Sequence, residues 1–219
     1  MGGNEIFMVT EERIITLKKN GVEEFLTLSK SSIWPSLRST GGKVLCLLKG
    51  LVGDTSDTLI QLTVFKNFDE WQTSQGAWVI DNDDLVQRQN VRLLRTLGTR
   101  PNPDIILPPE KRRLIYQYKI DIVSPANFSE FILCNEEGVW PEIEKEGASV
   151  LGMWTPSSTT TPVEIVTLTG YESVSQWEKL HFIDMPMKEN DIWNRELQLM
   201  ERLESLTLTR KLSLMISAE

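Results

Sequence analysis

Histidine is almost absent from this chain, and so are the usual motifs of metal and nucleotide chemistry. His181 is the only histidine among 219 residues, and Cys46 and Cys134 fit no metal-ligand spacing. A structural zinc site needs four such ligands, so we expect no metal. No G-x-G-x-x-G, G-x-x-x-x-G-K-[ST] or G-x-S-x-G motif occurs either. Those absences exclude the common nucleotide sites and the serine hydrolase elbow.

Positive charge and long apolar runs are also scarce. The chain has 23 Lys and Arg against 31 Asp and Glu, for a net charge of -8. Such a chain has little with which to neutralise phosphates, so we expect no nucleic-acid partner. No run approaches the roughly 18 to 20 apolar residues of a membrane span, and the N-terminus lacks the features of a secretory signal. We therefore expect a cytoplasmic protein with reduced thiols and no membrane contact.

What the chain does contain is an internal repeat. Trp34-Pro35 recurs as Trp140-Pro141, 106 residues later, and Gly41 recurs as Gly147 at the same interval. Trp71 and Trp177 repeat the interval a third time. A repeat of this length indicates two copies of one folding unit that bury a common core. Because these tryptophans occur in both copies, we interpret them as fold residues that pack against a sheet.

The hydrophobic pattern predicts the elements of each copy. In the first copy a β-branched run predicts a strand at 13–19, and helical spacing follows from Val22 to the region of Pro35. Further patterns predict two strands at 43–52 and 58–67 and a helix at 68–78. A second helical segment at 85–97 and a short strand at 104–108 complete the copy. The second copy follows the same order from a strand at 112–120. The offset is then 100 residues at the first strand and 106 afterwards.

Each copy therefore reads as β-α-β-β-α-β, the ferredoxin-like arrangement. One such sheet with helices on one side leaves its other face uncovered, and two copies cover each other by closing a barrel. We predict an α+β fold with two tandem ferredoxin-like repeats, at 1–109 and 110–219. They would form one compact pseudo-twofold α/β barrel with antiparallel sheets and outer helices, as a monomer or homodimer.

Three segments resemble the NIPSNAP family within the dimeric α/β-barrel proteins. They are LIYQYKI at 114–120, YESVSQWEKL at 171–180 and NDIWNREL at 190–197. The family's Asp-x-x-Trp element corresponds to Asp191-Ile192-Trp193, where the tryptophan comes one place early. The resemblance implies a tandem ferredoxin-like barrel. It also implies relatives that are cofactor-free monooxygenases, cyclases or dehydratases, together with some haem enzymes.

Residues present in only one copy are freer to serve a site. Trp154, Trp78 and Trp193 stand where the other copy has Leu48, Asp184 and Gln87, and we predict them as substrate-binding walls.

Four further residues are predicted as catalytic. His181 corresponds to Gln75 and is the one side chain whose ordinary pKa lies near neutrality. Tyr116 and Tyr118 alternate on a strand, so they share a face and could orient a carbonyl. Glu164 begins another strand and is a candidate base. The alternative is that these residues serve packing or solubility.

The first hypothesis is a cofactor-independent enzyme acting on a small apolar or aromatic molecule, of cyclase, isomerase, dehydratase or monooxygenase type. The alternative is a non-catalytic module that binds a small ligand or a protein. A third hypothesis, a haem protein with His181 as axial ligand, depends on that residue alone.

Overall fold

The computed structural model describes residues 8–78, 85–101, 111–158, 161–181, 201–203 and 205–217. Eight antiparallel strands close into a barrel in the order β1-β3-β2-β8-β5-β7-β6-β4. Their bounds are β1 Val9–Leu17, β2 Lys43–Val52, β3 Thr58–Phe65, β4 Val86–Thr96, β5 Ile115–Val123, β6 Ser149–Pro156, β7 Val163–Tyr171 and β8 Leu206–Ser217. The predicted α+β barrel is thereby confirmed. The predicted boundary between residues 109 and 110 lies outside the described residues.

Helices cover the outside of the barrel at equivalent places in the two copies. They are α1 Val22–Leu28, α2 Trp34–Ser39, α3 Phe68–Ser74, α4 Phe128–Cys134, α5 Trp140–Lys145 and α6 Val174–His181. The elements from β1 to α3 in the first copy have counterparts from β5 to α6 in the second copy. Each counterpart begins 106 residues later, to within one residue. None of the described helices has both the length and the apolarity needed to span a bilayer.

The helix that was expected to end near Pro35 or shortly after it ends at Ser39. A π-helical turn at Ser29–Ile33 separates α1 from α2, and Asn135–Val139 repeats that turn before Pro141. Proline cannot donate a backbone hydrogen bond, and its ring collides with the carbonyl one turn earlier in a regular α-helix. A wider turn immediately before the proline relieves that collision. Both Trp-Pro pairs therefore sit inside a helix, and both tryptophans are buried.

Two predictions about strands were wrong. The first strand begins at Val9 instead of Arg13, so β1 and β5 match at 106 residues with the same burial pattern. Tyr116 and Tyr118 are consequently equivalent to Thr10 and Glu12, and not to Thr16 and Lys18. The segment 85–97, predicted as a helix, is mostly strand β4, which pairs with β1 along its length. The short strand predicted at 104–108 falls outside the described residues.

The apolar core has three parts. Two lie between the helices and the sheet, one in each copy, and they contain Trp34 and Trp140 respectively. The third fills the barrel interior and includes Cys46, Tyr116, Tyr118 and Trp154. Alternate residues of β1 and β5 therefore face either the helices or the interior. The uncovered sheet faces of the two copies meet inside the barrel, as the repeat predicted.

Thiol labelling tests this placement of the two cysteines. Burial raises the pKa of the interior Cys46 thiol to about 12, whereas Cys134 is only partly buried on a helix. A disulfide reagent attacks the thiolate, so at pH 8 we expect native protein to expose one fast thiol and denatured protein two. Cys134→Ser should abolish the fast phase. Fast labelling of Cys46 in the folded protein would contradict the interior placement.

Candidate functional site

The two copies meet at a hydrogen bond in the middle of the barrel. Glu12 on β1 and Tyr118 on β5 occupy the same position in their respective copies, and both point inward. The Tyr118 hydroxyl donates to Glu12 Oε1 at 2.6 Å. Glu12 is 0% exposed and Tyr118 is 2% exposed. A carboxylate and a phenol therefore lie in contact where water does not reach them.

Arg92 joins these two residues to a second carboxylate. Its Nε donates to Glu12 Oε2 at 2.6 Å, and its Nη2 donates to the Tyr118 oxygen at 2.8 Å. Its Nη1 donates to Glu164 Oε1 at 2.5 Å. The guanidinium thus uses a different nitrogen for each of three partners. We call Glu12, Arg92, Tyr118 and Glu164 the interior cluster.

Exposure rises through the interior cluster from one end to the other. The Glu12 side chain is fully buried, whereas those of Arg92 and Glu164 are 25% and 31% exposed. With both glutamates ionised, the cluster carries two negative charges and one positive charge. A buried carboxylate without a partner would be costly, so Arg92 stabilises Glu12 in the folded chain. The arrangement places Glu12, whose charge Arg92 balances, in the buried interior, and Glu164 where solvent partly reaches it.

The pKa values of Tyr118 and Arg92 follow from this environment. Burial, and then the charge of Glu12, raise the pKa of Tyr118 well above its ordinary value. Burial lowers the pKa of Arg92, but its hydrogen bond to Glu12 and the charges of Tyr118 and Glu12 outweigh that effect and raise the pKa overall. Tyr118 therefore remains a hydrogen-bond donor and Arg92 remains a cation at neutral pH.

Trp154 and Tyr116 line the same interior. The Trp154 indole donates from Nε1 to the Thr10 hydroxyl at 3.1 Å, again joining the two copies. Tyr116 is fully buried, and its hydroxyl accepts from the backbone N–H of Arg113 at 3.2 Å. A side chain at Gly170 would collide with the Tyr116 ring, so glycine makes room for this aromatic wall. Burial raises the pKa of Tyr116 to about 12.

The interior cluster lies beside a short seam in the barrel wall, where β4 and β6 pair over few residues. β4 pairs with β1 from Val86 to Arg95, but it pairs with β6 only from Leu94 to Thr96. β6 ends at Pro156, and the next residue, Ser157, donates a last backbone hydrogen bond to the Leu93 carbonyl of β4 at 2.7 Å. Arg92 lies just beyond the last pair, and Glu164 reaches it from β7. The ion pair between Arg92 and Glu164 therefore lies beside the end of the β4–β6 pairing.

Trp78 is located on the other side of the sheet. The Arg13 guanidinium lies 3.8 Å from the centre of the Trp78 ring and donates to Glu11, which faces the helices. The Trp71 indole also donates to Glu11, at 2.7 Å, and Trp177 makes the equivalent bond to Gln117 at 2.6 Å. Trp78 is thus separated by the sheet from the predicted catalytic tyrosines.

Of the seven predicted site residues, the structure brings four into one compartment. These are Tyr116, Tyr118, Trp154 and Glu164. Backbone coordinates place His181 at the end of α6, at the position equivalent to Gln75, but its side chain is outside the described part of the chain. Trp193 also falls outside the described residues. The roles predicted for His181 and Trp193, and the haem alternative, stay predictions.

Sequence reasoning missed Glu12 and Arg92. Glu12 was excluded because the first strand was predicted to begin at Arg13, four residues after its true start at Val9, and Arg92 was assigned to a helix. The 106-residue interval holds a signal that could have found Glu12, since it aligns this residue with Tyr118. Within the described residues no group of three or more His, Cys, Asp or Glu side chains is arranged to hold a metal ion.

Solved structures share this fold over the whole chain. An anthrone oxidase-like protein aligns with a TM-score of 0.60 at 8% identity, covering 100% of this chain and 95% of its own. A candidate monooxygenase from Lactobacillus acidophilus aligns at 0.58 and 12% identity, covering 96% and 93%. A candidate chlorite dismutase aligns at 0.53 and 11% identity, covering 96% and 95%. At these identities the likeness establishes the fold alone.

The structural neighbours also include NIPSNAP proteins of about half this length. A NIPSNAP-like domain protein from Burkholderia xenovorans aligns with 48% of this chain and 99% of its own, at 17% identity and a TM-score of 0.40. No family model and no curated protein sequence matches the chain. The chain has the dimeric α/β-barrel fold with both halves in one polypeptide.

Alkaline unfolding tests the environment of Tyr118. Its pKa is raised in the folded protein, so the stability that it contributes is present below the unfolded pKa of about 10 and is lost as pH rises beyond it. We expect wild-type protein to exceed Tyr118→Phe in unfolding free energy by a constant amount from pH 7 to 9.5. Above pH 10 that difference should shrink by up to about 1.4 kcal/mol per pH unit. Urea titrations followed by circular dichroism measure it; a constant difference up to pH 11 would contradict the assignment.

Proposed function

We propose that this protein is a cofactor-independent enzyme that transfers a proton on a small aromatic or apolar ketone within the barrel. The observation that carries the proposal is the contact of a fully buried carboxylate, Glu12, with both Tyr118 and Arg92. A base, a neutral hydrogen-bond donor and a cation lie within one hydrogen-bond distance of each other. Abstraction of a proton made acidic by a carbonyl uses a base for the proton and hydrogen-bond donors for the developing oxyanion.

The reaction assigns one role to each residue. An acidic C–H bond breaks on a carbon that is joined to the substrate carbonyl directly or through an aromatic ring. Its proton passes to the Glu12 carboxylate, and the electron pair is delocalised onto the carbonyl oxygen to form an enolate. Tyr118 and Arg92 then donate hydrogen bonds to that oxygen instead of to Glu12. Return of the proton to another carbon gives an isomer. If dioxygen oxidises the enolate instead, a methylene group becomes a carbonyl and one water is released.

Burial favours this chemistry. In the dry interior, hydrogen bonds to developing charge are stronger than in water. The high pKa of Tyr118 keeps its proton in place for donation to an enolate. Trp154 and Tyr116 supply apolar surface beside the cluster, as an aromatic substrate requires. His181 and Trp193 are kept in the proposal as a second acid–base group and a binding wall.

The second candidate is a non-catalytic module that binds a small molecule. It is favoured by the fact that both Glu12 oxygens already have partners within the protein. A cluster of that kind also stabilises a barrel without any substrate. Turnover measurements separate the two candidates, because both predict binding and only the enzyme predicts product.

Anthrone is a suitable probe because it is an aromatic ketone whose methylene is conjugated with the carbonyl through its rings, so that loss of a methylene proton gives an enolate. A fold neighbour is described as anthrone oxidase-like. We expect wild-type protein without added cofactor to convert anthrone and dioxygen to anthraquinone and water. Glu12→Gln should lower kcat by about 10²- to 10⁴-fold, through loss of the base. Tyr118→Phe should lower it by about 10²-fold, through loss of a donor to the enolate. Absorbance of anthraquinone and oxygen uptake measure the rates.

Glu11→Gln is the matched control for Glu12→Gln. Glu11 is equally buried and also pairs with an arginine, but it faces the helices. A general loss of stability would slow both variants alike, whereas loss of the base slows only Glu12→Gln. Equal rates for folded Glu12→Gln, Tyr118→Phe and wild type would refute the catalytic roles. Binding of anthrone without product would favour the binding module.

His181 has its own test. If it donates or accepts a proton, His181→Ala should lower kcat with anthrone by 10-fold or more, since general acid–base groups contribute at least about that much. It should also remove one limb of the pH–rate profile. Gln75→Ala changes the equivalent position of the first copy and should leave kcat within about twofold. Unchanged kinetics and an unchanged pH profile in His181→Ala would remove it from the mechanism.

A further inference from the structure

The Glu164 side chain can leave the interior cluster more easily than the side chains of its other members. Its side chain is the most exposed of the four, and it joins the cluster through a hydrogen bond from Arg92 Nη1. Its backbone is fixed, since the Thr155 hydroxyl donates to the Glu164 carbonyl at 2.9 Å. The carboxylate can therefore turn outward without disturbing β7. Glu12, in contrast, holds Arg92 from the fully buried side.

We propose that the ligand of this barrel carries a carboxylate, and that this carboxylate replaces Glu164 on Arg92. The proposal rests on the proposed function for the location of the site, and it adds the substrate class: small aromatic or apolar acids. The ligand carboxylate would bind Arg92 at the mouth of the seam. Its apolar part would lie toward the aromatic residues of the interior.

The charges of the cluster favour replacement of Glu164 by the ligand carboxylate over addition of a further carboxylate. Two carboxylates already share one guanidinium, so a third negative charge in the cluster would be repelled. When a ligand carboxylate enters and Glu164 turns into water, the charge around Arg92 is the same before and after. Glu12 keeps its bond from Arg92 while the two outer carboxylates exchange, which avoids the cost of a buried unpaired charge. The cluster is thus already built to hold one carboxylate at this position.

The geometry of arginine suits this role. A guanidinium presents parallel N–H groups that bind a planar carboxylate through two hydrogen bonds, which a lysine ammonium cannot match. The other copy provides the comparison. Arg92 pairs with Glu12 across strands β4 and β1, and Lys211 pairs with Tyr118 across strands β8 and β5. Lys211 therefore stands at the equivalent position, and there it bonds to Asp54 at 2.8 Å. Only the Arg92 position has a buried carboxylate behind it.

Binding of 2-naphthoate tests the proposal, with 2-naphthalenemethanol as the neutral probe of the same shape. Isothermal titration calorimetry should give at least 10-fold tighter binding for the acid in wild-type protein. Glu164→Gln should tighten 2-naphthoate binding by threefold or more and leave the alcohol unchanged, because it removes the competing charge. Arg92→Lys keeps the charge that Glu12 needs, so it should fold, yet it should weaken 2-naphthoate binding about 10-fold.

Lys211→Met is the matched control, and it should change the affinity for 2-naphthoate by less than twofold. Equal affinities for the two probes, absence of binding by 2-naphthoate, or no response to Glu164→Gln and Arg92→Lys would each overturn the proposal. A larger effect of Lys211→Met than of Arg92→Lys would overturn it too, because the carboxylate would then bind at the other seam. These titrations measure binding and no turnover, so their result can be interpreted even if the protein does not convert anthrone.

Discussion

Each four-stranded sheet of this protein has two faces to bury, and its helices cover only one of them. That constraint determines the rest of the structure. The second copy covers the remaining face, and the eight strands close so that the two apolar surfaces become one interior. The Trp-Pro helices seal the outer faces in both copies, with a π-helical turn that lets the chain pass each proline. The equivalent strands β1 and β5 consequently line opposite sides of one compartment.

A charged cluster inside such a compartment is costly unless every group has a partner. Glu12, Arg92 and Tyr118 meet that condition among themselves, and Glu164 extends the cluster to the place where β6 stops pairing with β4. The charged cluster and the end of the β4–β6 pairing therefore lie at the same place in the barrel wall. Among the described strand pairs, β4 and β6 have the fewest paired residues, and the more exposed members of the interior cluster lie beside them. Such a place suits the entry and binding of a small molecule.

Sequence reasoning predicted the fold better than the site, for physical reasons. Residues that repeat in both copies, such as Trp34 and Trp140, follow the common core and reveal the architecture. Trp154, Tyr118 and Glu164 were found because they depart from the repeat. Arg92 was missed because β4 has a charged residue where a strand lining a core normally has an apolar one. In addition, the apolar residues Leu85, Val91, Leu94 and Leu97 in and beside this strand fall at helical intervals. Glu12 was missed because its strand began earlier than the β-branched run. Local pattern fails where a polar residue faces an interior.

The contact between Glu12 and Tyr118 joins equivalent positions of two copies, and this has a genetic consequence. In a symmetric dimer of identical subunits, a glutamate at that position would face another glutamate across the axis, and a tyrosine would face another tyrosine. A glutamate that faces a tyrosine cannot arise in such a dimer, because each substitution occurs in both subunits. Fusion of the copies into one reading frame removes this restriction. The two halves are free to specialise, and a heterogeneous pair becomes accessible through single mutational steps.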